Sequence, residues 1–264
     1  MEFENLKLRK FDMSKMKEPS ITIILGESES GKSILAKDIM NTKNIPTKIA
    51  ISDKPLEYQS CPYVYNNYSS EFLDKIVKRQ KIITSEFRKN CVELSKKMDL
   101  RMMLVVEGSM IDKNQLNKCK SQRDIFLNGR SAMITYIITH NDPTCFNPYL
   151  ICNSDYVFLG KETNQFYLRK LYDTWFPLNF SFQDFNQIFE KYTKDYGFLI
   201  IDNRSRSSKL NDIIFQYKVN ILKQHPKMSF ELKEELVHLG NHFKFKPGGS
   251  GFKIAKNSFQ QCQK

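Results

Sequence analysis

The sequence is short of several things, and each shortage removes a class of protein. Its six cysteines, at positions 61, 91, 119, 145, 152 and 262, form no CxxC pair and show no metal-ligand spacing, so they read as reduced thiols rather than a disulfide framework or a zinc module. Residues 1–10, MEFENLKLRK, carry no apolar core of the kind that makes a secretory signal. The longest apolar runs, such as 21–25 and 102–106, fall far below the roughly 20 residues that a membrane span needs, so no transmembrane segment is expected. There is no internal repeat. Intrinsic disorder is also excluded for most of the chain, because 264 residues at 41% apolar composition can bury a proper core. Acidic residues are outnumbered, 29 Asp+Glu against 41 Lys+Arg, and the resulting +12 favours a polyanionic partner such as nucleic acid. A lysine-rich surface serves solubility equally well.

What is present alternates. Short runs rich in β-branched and aromatic residues at 21–25, 48–52, 102–106, 133–139, 156–159 and 198–201 predict strands. After Ser70, the positions Phe72, Leu73, Ile76, Val77, Ile83 and Phe87 recur at helical spacing, with Lys75, Lys78, Arg79 and Lys81 on a solvated face. Asp184, Phe185, Ile188, Phe189 and Tyr192 mark another helix. Strands alternating with helices predict an α/β fold, a doubly wound and mostly parallel sheet with its ligand at the carboxyl ends of the strands. Two units are expected: residues 1–223 as the α/β domain, and 224–264 as a short charged helix with a basic, glycine- and phenylalanine-containing tail. That tail can stack on bases while neutralising phosphates, or pack on its own domain. His238 and His242 are four apart but have no further ligand in register for a metal.

The stretch ILGESESGKS, residues 24–33, carries the chemistry. Gly26, four residues, then Gly31, Lys32 and Ser33 form a phosphate-binding P-loop, and its context fits: an apolar strand precedes it and a helix-compatible run, 32–40, follows. Backbone amides from Gly26, Ser30, Gly31 and Ile34 and the helix amino end suit phosphates, Lys32 suits the β and γ oxygens, and Ser33 suits Mg²⁺. ATP with Mg²⁺ is therefore the expected ligand. Glu27 and Glu29 add negative charge to this loop; at about 6 Å from a phosphate charge each costs roughly 0.7 to 3 kcal/mol, depending on exposure. The strand 102–106 is followed by Glu107, placed to hold the metal or its water, and then by Gly108 where a second acid would help.

Taken with KFDMSKMKEPSITIILG (10–26), IFLNGRS (125–131), ITYIITHNDP (134–143), NPYLICNSDYVFL (147–159) and the segments YTKDYGFLIIDN and SSKLNDIIFQYK (192–218), the chain resembles the virion DNA-packaging ATPases of poxviruses and other large DNA viruses, of the FtsK/HerA branch of P-loop motors. The resemblance runs from about residue 8 to 221. It implies a homo-oligomeric ring that hydrolyses ATP to drive double-stranded DNA into a capsid, working in the host cytoplasm at a viral factory or in the virion, beside capsid or membrane-associated assembly proteins. It further implies Asn141 as a γ-phosphate sensor and a catalytic part for Glu107 and Arg130. Asn128 and Gly129 read equally as a helix stop, and His140 and Asp142 as strand-end polar residues.

The departures from that pattern fall on the chemistry: Glu27 and Glu29 in the loop, Gly108 for an acid, Ser131 for a histidine, Ile151 for an arginine. A slow enzyme, or a non-hydrolysing structural or regulatory paralogue, is the alternative they raise. A nucleoside kinase shares the P-loop but none of the later motifs.

Overall fold

The six predicted apolar runs all become strands, at the centre of one sheet. A computed structural model describes residues 7–89, 99–176, 181–207 and 209–220, so the expected helix and tail beyond 224, with His238 and His242, lie outside the described residues. Eight strands occur among the described residues: β1 (Ile21–Leu25), β2 (Thr47–Ile51), β3 (Tyr63–Tyr65), β4 (Met102–Glu107), β5 (Ile134–His140), β6 (Tyr156–Leu159), β7 (Gly197–Asp202) and β8 (Ile214–Lys218). Their spatial order is β3-β2-β4-β5-β1-β6-β7-β8. Neighbours from β3 through β6 pair in parallel, whereas β7 pairs antiparallel with β6, and β8 with β7.

Both faces of the central strands are buried, which is why they read as continuous apolar runs rather than as alternation. Ile21, Ile23 and Leu25 point to the same side as Met102, Leu104 and Val106, into a core shared with α2 (Ser70–Lys89), α3 (Lys113–Lys118), α4 (Lys120–Asn128), α5 (Pro148–Cys152), α6 (Gln165–Trp175) and α7 (Phe182–Thr193). Ile24, Met103, Val105 and Ile137 point the other way, toward Leu35, Ala36, Ile39 and Met40 of α1 (Lys32–Thr42) and toward Phe11, Met13 and Tyr58.

Helix α2 buries Phe72, Leu73, Ile76 and Val77. Its Lys75 and Lys78 stand exposed and pair one turn back with Glu71 and Asp74, and Lys81 reaches Asp124 on α4.

Strands β3 and β8 were not foreseen. The three residues of β3 are all half-buried and β8 buries only Ile214, so neither shows the apolar density that marks a central strand. The antiparallel turn of β7 has a consequence for the site: its first residue, Gly197, lies at the same edge where β6 ends, with the Phe198 ring against Gly160.

Candidate nucleotide site

The carboxyl ends of β1, β4, β5 and β6 bring together the P-loop, Glu107, Asn141 and Glu162. Strand β5 lies between β1 and β4, so the P-loop and the acid are one strand apart. Residues 26–31 wrap from β1 into α1, with Glu29 at φ +63° and Gly31 at φ +93°. Left-handed backbone of that kind favours glycine at position 31. Gly26, at φ +154°, is needed for backbone and for space: a Cβ there would lie 2.6 Å from Ser30 Oγ and 3.1 Å from the Lys161 carbonyl.

Lys32 is only 9% exposed. Its ammonium folds back over the loop and donates to the carbonyls of Gly26 (3.0 Å) and Glu27 (2.7 Å). Burial pulls its pKa down to about 8, against the opposing charges of Glu107, Glu162 and Glu27. Ser30 Oγ is buried and has no hydrogen-bond partner. A buried lysine that caps carbonyls and a buried hydroxyl left unpaired, inside a loop too tight for side chains, together fit the oxygens of a phosphate chain. Ser33, half-buried, lies in the first turn of α1, and Ile34 beside it packs against the α1-side core.

Glu27 does not face into this cradle. It pairs with Lys161 at 2.9 Å and accepts from the amide and hydroxyl of Thr163 at 3.2 and 2.7 Å. Partial burial opposes its charge, but the bonds from Lys161 and Thr163 prevail and hold the carboxyl below its ordinary value. Glu29 is exposed on the outside of the turn.

On the other side, Glu107 ends β4 at 5% exposure. Both oxygens are committed: Oε2 accepts from Ser52 Oγ (2.7 Å) and Oε1 from the Tyr58 hydroxyl (3.0 Å). Gly108 is closed to any side chain. A Cβ there would overlap the Thr139 carbonyl oxygen and lie 2.5 Å from His140 Cδ2, so β5 occupies the space where a second acid would stand. His140 does not replace that acid. Its Nδ1 accepts from the Asp142 amide at 3.0 Å, and burial, with the nearby Lys32 charge adding to it, keeps the imidazole below its usual pKa even though Asp142 and the Ile111 and Asp142 backbones oppose the fall. Asp142 itself caps the next turn, accepting from Thr144 N at 2.7 Å. Asn141 reaches across to the P-loop tip, donating to Ser28 Oγ at 3.3 Å.

Arg130 is not in this constellation, contrary to the sequence expectation. It precedes β5, at the amino ends of the strands, where Nε donates to Asp155 Oδ2 (2.8 Å), Nη1 to Phe126 O (3.1 Å) and Nη2 to Asn153 O (2.6 Å). It ties the α4–β5 turn to the start of β6, since Asp155 Oδ2 also accepts from the Ile21 amide at 2.7 Å. Gly129 is the C-cap of α4, in ordinary right-handed backbone. Ile151, on α5, packs against the main core.

Among the described residues no group of three or more His, Cys, Asp or Glu is placed to hold a metal ion. A hydroxyl (Ser33) and one carboxylate (Glu107) suit Mg²⁺ only as an ion that keeps waters and phosphate oxygens in its shell. Residues that sequence reasoning missed are Ser52, Tyr58, Glu162 and Tyr196. Glu162, buried after β6 and accepting from Asn164 N at 2.9 Å, has its pKa raised by burial. Ser52 and Glu162 follow strand ends at the carboxyl edge, which was the available signal; Tyr58 carries none.

Known proteins resemble the chain at two levels. The uncharacterized protein L437 of Acanthamoeba polyphaga mimivirus is 28% identical over 244 residues, covering 89% of this chain and 83% of that protein. The uncharacterized protein 088R of Invertebrate iridescent virus 3 is 29% identical over 210 residues, covering 76% of each. No family model matches. Among solved structures, the genome packaging NTPase B204 of Sulfolobus turreted icosahedral virus 2, in complex with ATP-gammaS, superposes with a TM-score of 0.55 at 16% identity, covering 78% of this chain and all of that one. EssC (ATPases 2 and 3) of Geobacillus thermodenitrificans gives a TM-score of 0.53 at 13% identity, covering 86% of this chain and 45% of that one. The fold is that of a P-loop NTPase.

Proposed function

We propose that the chain is a viral genome-packaging ATPase of the FtsK/HerA type, which binds Mg-ATP at its P-loop and turns it over slowly. The observation that carries this reading is the meeting, one strand apart, of an intact phosphate cradle with Glu107 and Asn141. Lys32 would leave the Gly26 and Glu27 carbonyls for the β and γ phosphates, and Ser33 and Glu107 would hold Mg²⁺, whose charge offsets that of the phosphates. Asn141, already bridged to the loop tip, would sense the γ-phosphate. The net charge of +12 supports duplex DNA as the partner, held through its backbone without base readout. A ring of identical subunits on that DNA is what the sequence resemblance to packaging motors implies, and the fold shared with the genome packaging NTPase B204 supports a packaging role.

Sedimentation of the protein with ATP-gammaS and a duplex of arbitrary sequence tests the motor. A nucleotide-dependent assembly that binds DNA with a steep salt dependence is the expected result, and a protein that stays monomeric and ignores DNA contradicts it.

A second reading, a non-hydrolysing structural or regulatory paralogue, is favoured by one specific feature: Gly108 has no room for a second acid. Turnover with and without duplex DNA separates the two.

A further inference from the structure

We propose that Tyr196 is the nucleobase platform of the P-loop site. The proposal rests on the nucleotide reading above and adds to it where the base lies and what holds it.

Tyr196 is placed against the P-loop by the change of strand direction between β6 and β7. Because β7 runs antiparallel to β6, the turn that precedes β7 comes up at the carboxyl edge rather than at the far end. There the Tyr196 ring packs on Gly31: a Cβ at position 31 would lie 2.7 Å from Cδ1 and 3.5 Å from Cγ of that ring. The position is held under backbone strain. Asp195 and Tyr196 are consecutive non-glycine residues at φ +50° and +61°, a conformation that a bulky aromatic adopts rarely. The turn is pinned by Gly197 N to Lys194 O (2.9 Å), by Val219 N to Tyr196 O (3.2 Å) and by the Asp195–Lys218 ion pair (3.3 Å). Despite its contact with the loop, Tyr196 keeps 38% of its surface exposed.

The site's polarity decides what that exposed aromatic meets. Glu107 and Asn141, which suit the metal and the terminal phosphate, approach from β4 and β5. Tyr196 approaches the same loop from β6 and β7, on the opposite side of β1. A triphosphate whose γ end faces Glu107 must leave the loop toward β6 and β7, and its nucleoside end meets Tyr196. An aromatic face there stacks on a base of any identity.

The test is the affinity of two probes, ATP-gammaS and inorganic tripolyphosphate, for wild type, Tyr196→Ala and Tyr196→Phe. Tyr196→Ala should weaken ATP-gammaS by roughly 5- to 150-fold, the usual effect of removing an aromatic from under one base, and leave tripolyphosphate unchanged. Tyr196→Phe should keep both affinities. Should alanine fail to fold at this left-handed position, Tyr196→Asn, which tolerates it, takes its place. Equal loss of both probes would mean that the ring only braces the loop, and no loss of either would mean that the base lies elsewhere; each result overturns the platform. A wild-type protein that binds neither probe at millimolar concentration removes the nucleotide reading, and the platform with it.

Discussion

On the β1 and β6 side of the carboxyl edge, the groups that a phosphate chain needs are in place: a glycine-bounded loop, a buried lysine and an unpaired buried hydroxyl. On the β4 and β5 side, the strand ends on one carboxylate, already bonded to two hydroxyls, followed by a glycine that cannot be enlarged. The two halves share one sheet edge, yet only the first is complete for its task. On the proposed function, the difference implies that binding and hydrolysis would be separable in this architecture, because they would depend on different strands.

The strongest break of the binding half is Lys32→Ala. It removes the cation that the loop supplies to the phosphates, and with charge-assisted bonds worth about 1.5–3 kcal/mol each, two such contacts make the expected loss of ATP-gammaS affinity about 100-fold or more. The measurement is the ligand-dependent rise in Tm, which should vanish.

On the acid side, Gly108→Asp should damage the fold rather than restore an enzyme. The added Cβ must displace the Thr139 carbonyl or the His140 ring, an overpacking worth about 3 kcal/mol, or roughly 6–12 °C in Tm for a domain of this size. A Gly108→Asp protein with wild-type Tm and faster turnover would break the comparison. Arg130→Ala makes a control remote from both halves. Removing the Arg130 guanidinium, which leaves Asp155 only the longer 3.9 Å contact with Arg204, should cost about 2 kcal/mol of stability, with ATP-gammaS affinity unchanged.

The pH dependence of binding sharpens the first half. A lysine whose pKa is about 8 in the free protein, and which an adjacent phosphate raises, must take up a proton on binding as pH climbs past 8. Affinity should therefore be flat below about pH 8 and fall by up to tenfold per unit above it. For folding alone the sign is opposite: between about pH 8 and the ordinary lysine value the unfolded chain binds more protons at this group, so this group's contribution to stability rises with pH. The smallest effect is Glu27→Gln. Because Glu27 points to Lys161 and Thr163, its removal should change ATP-gammaS affinity by less than about threefold, within the range of exposed ion pairs.

Much of this was legible in the sequence, for identifiable reasons. Strands buried on both faces advertise themselves as apolar runs, and the P-loop is a local motif whose spacing dictates its shape. Hence β1, β2, β4, β5, β6 and β7 and the run from Gly26 to Ser33 were readable, within a residue or two at the ends. The direction of β7 was not, because antiparallel pairing beside a parallel sheet leaves no local mark, and with it went the placing of Tyr196. The charge of Glu27 was legible but its orientation was not, since Lys161 and Thr163 lie more than 130 positions away in the chain. Gly108 read as a lost acid; only the Thr139 carbonyl and His140, brought by β5, show that the position is sterically closed. Arg130 was placed at the site by resemblance, whereas its position before β5 sends it to the opposite end of the sheet.

The most direct test of the separation is to measure Mg-ATP binding and steady-state turnover on the same preparation, with and without duplex DNA, and with Lys32→Ala as the control for contaminating activity. A missing general base is worth about 10²- to 10⁴-fold, so against ordinary enzyme rates of about 10 per second the account predicts saturable binding with turnover at about 0.1 per second or slower. Turnover of about 1 per second or faster, lost in Lys32→Ala, would contradict it and show that the acid half is as complete as the cradle.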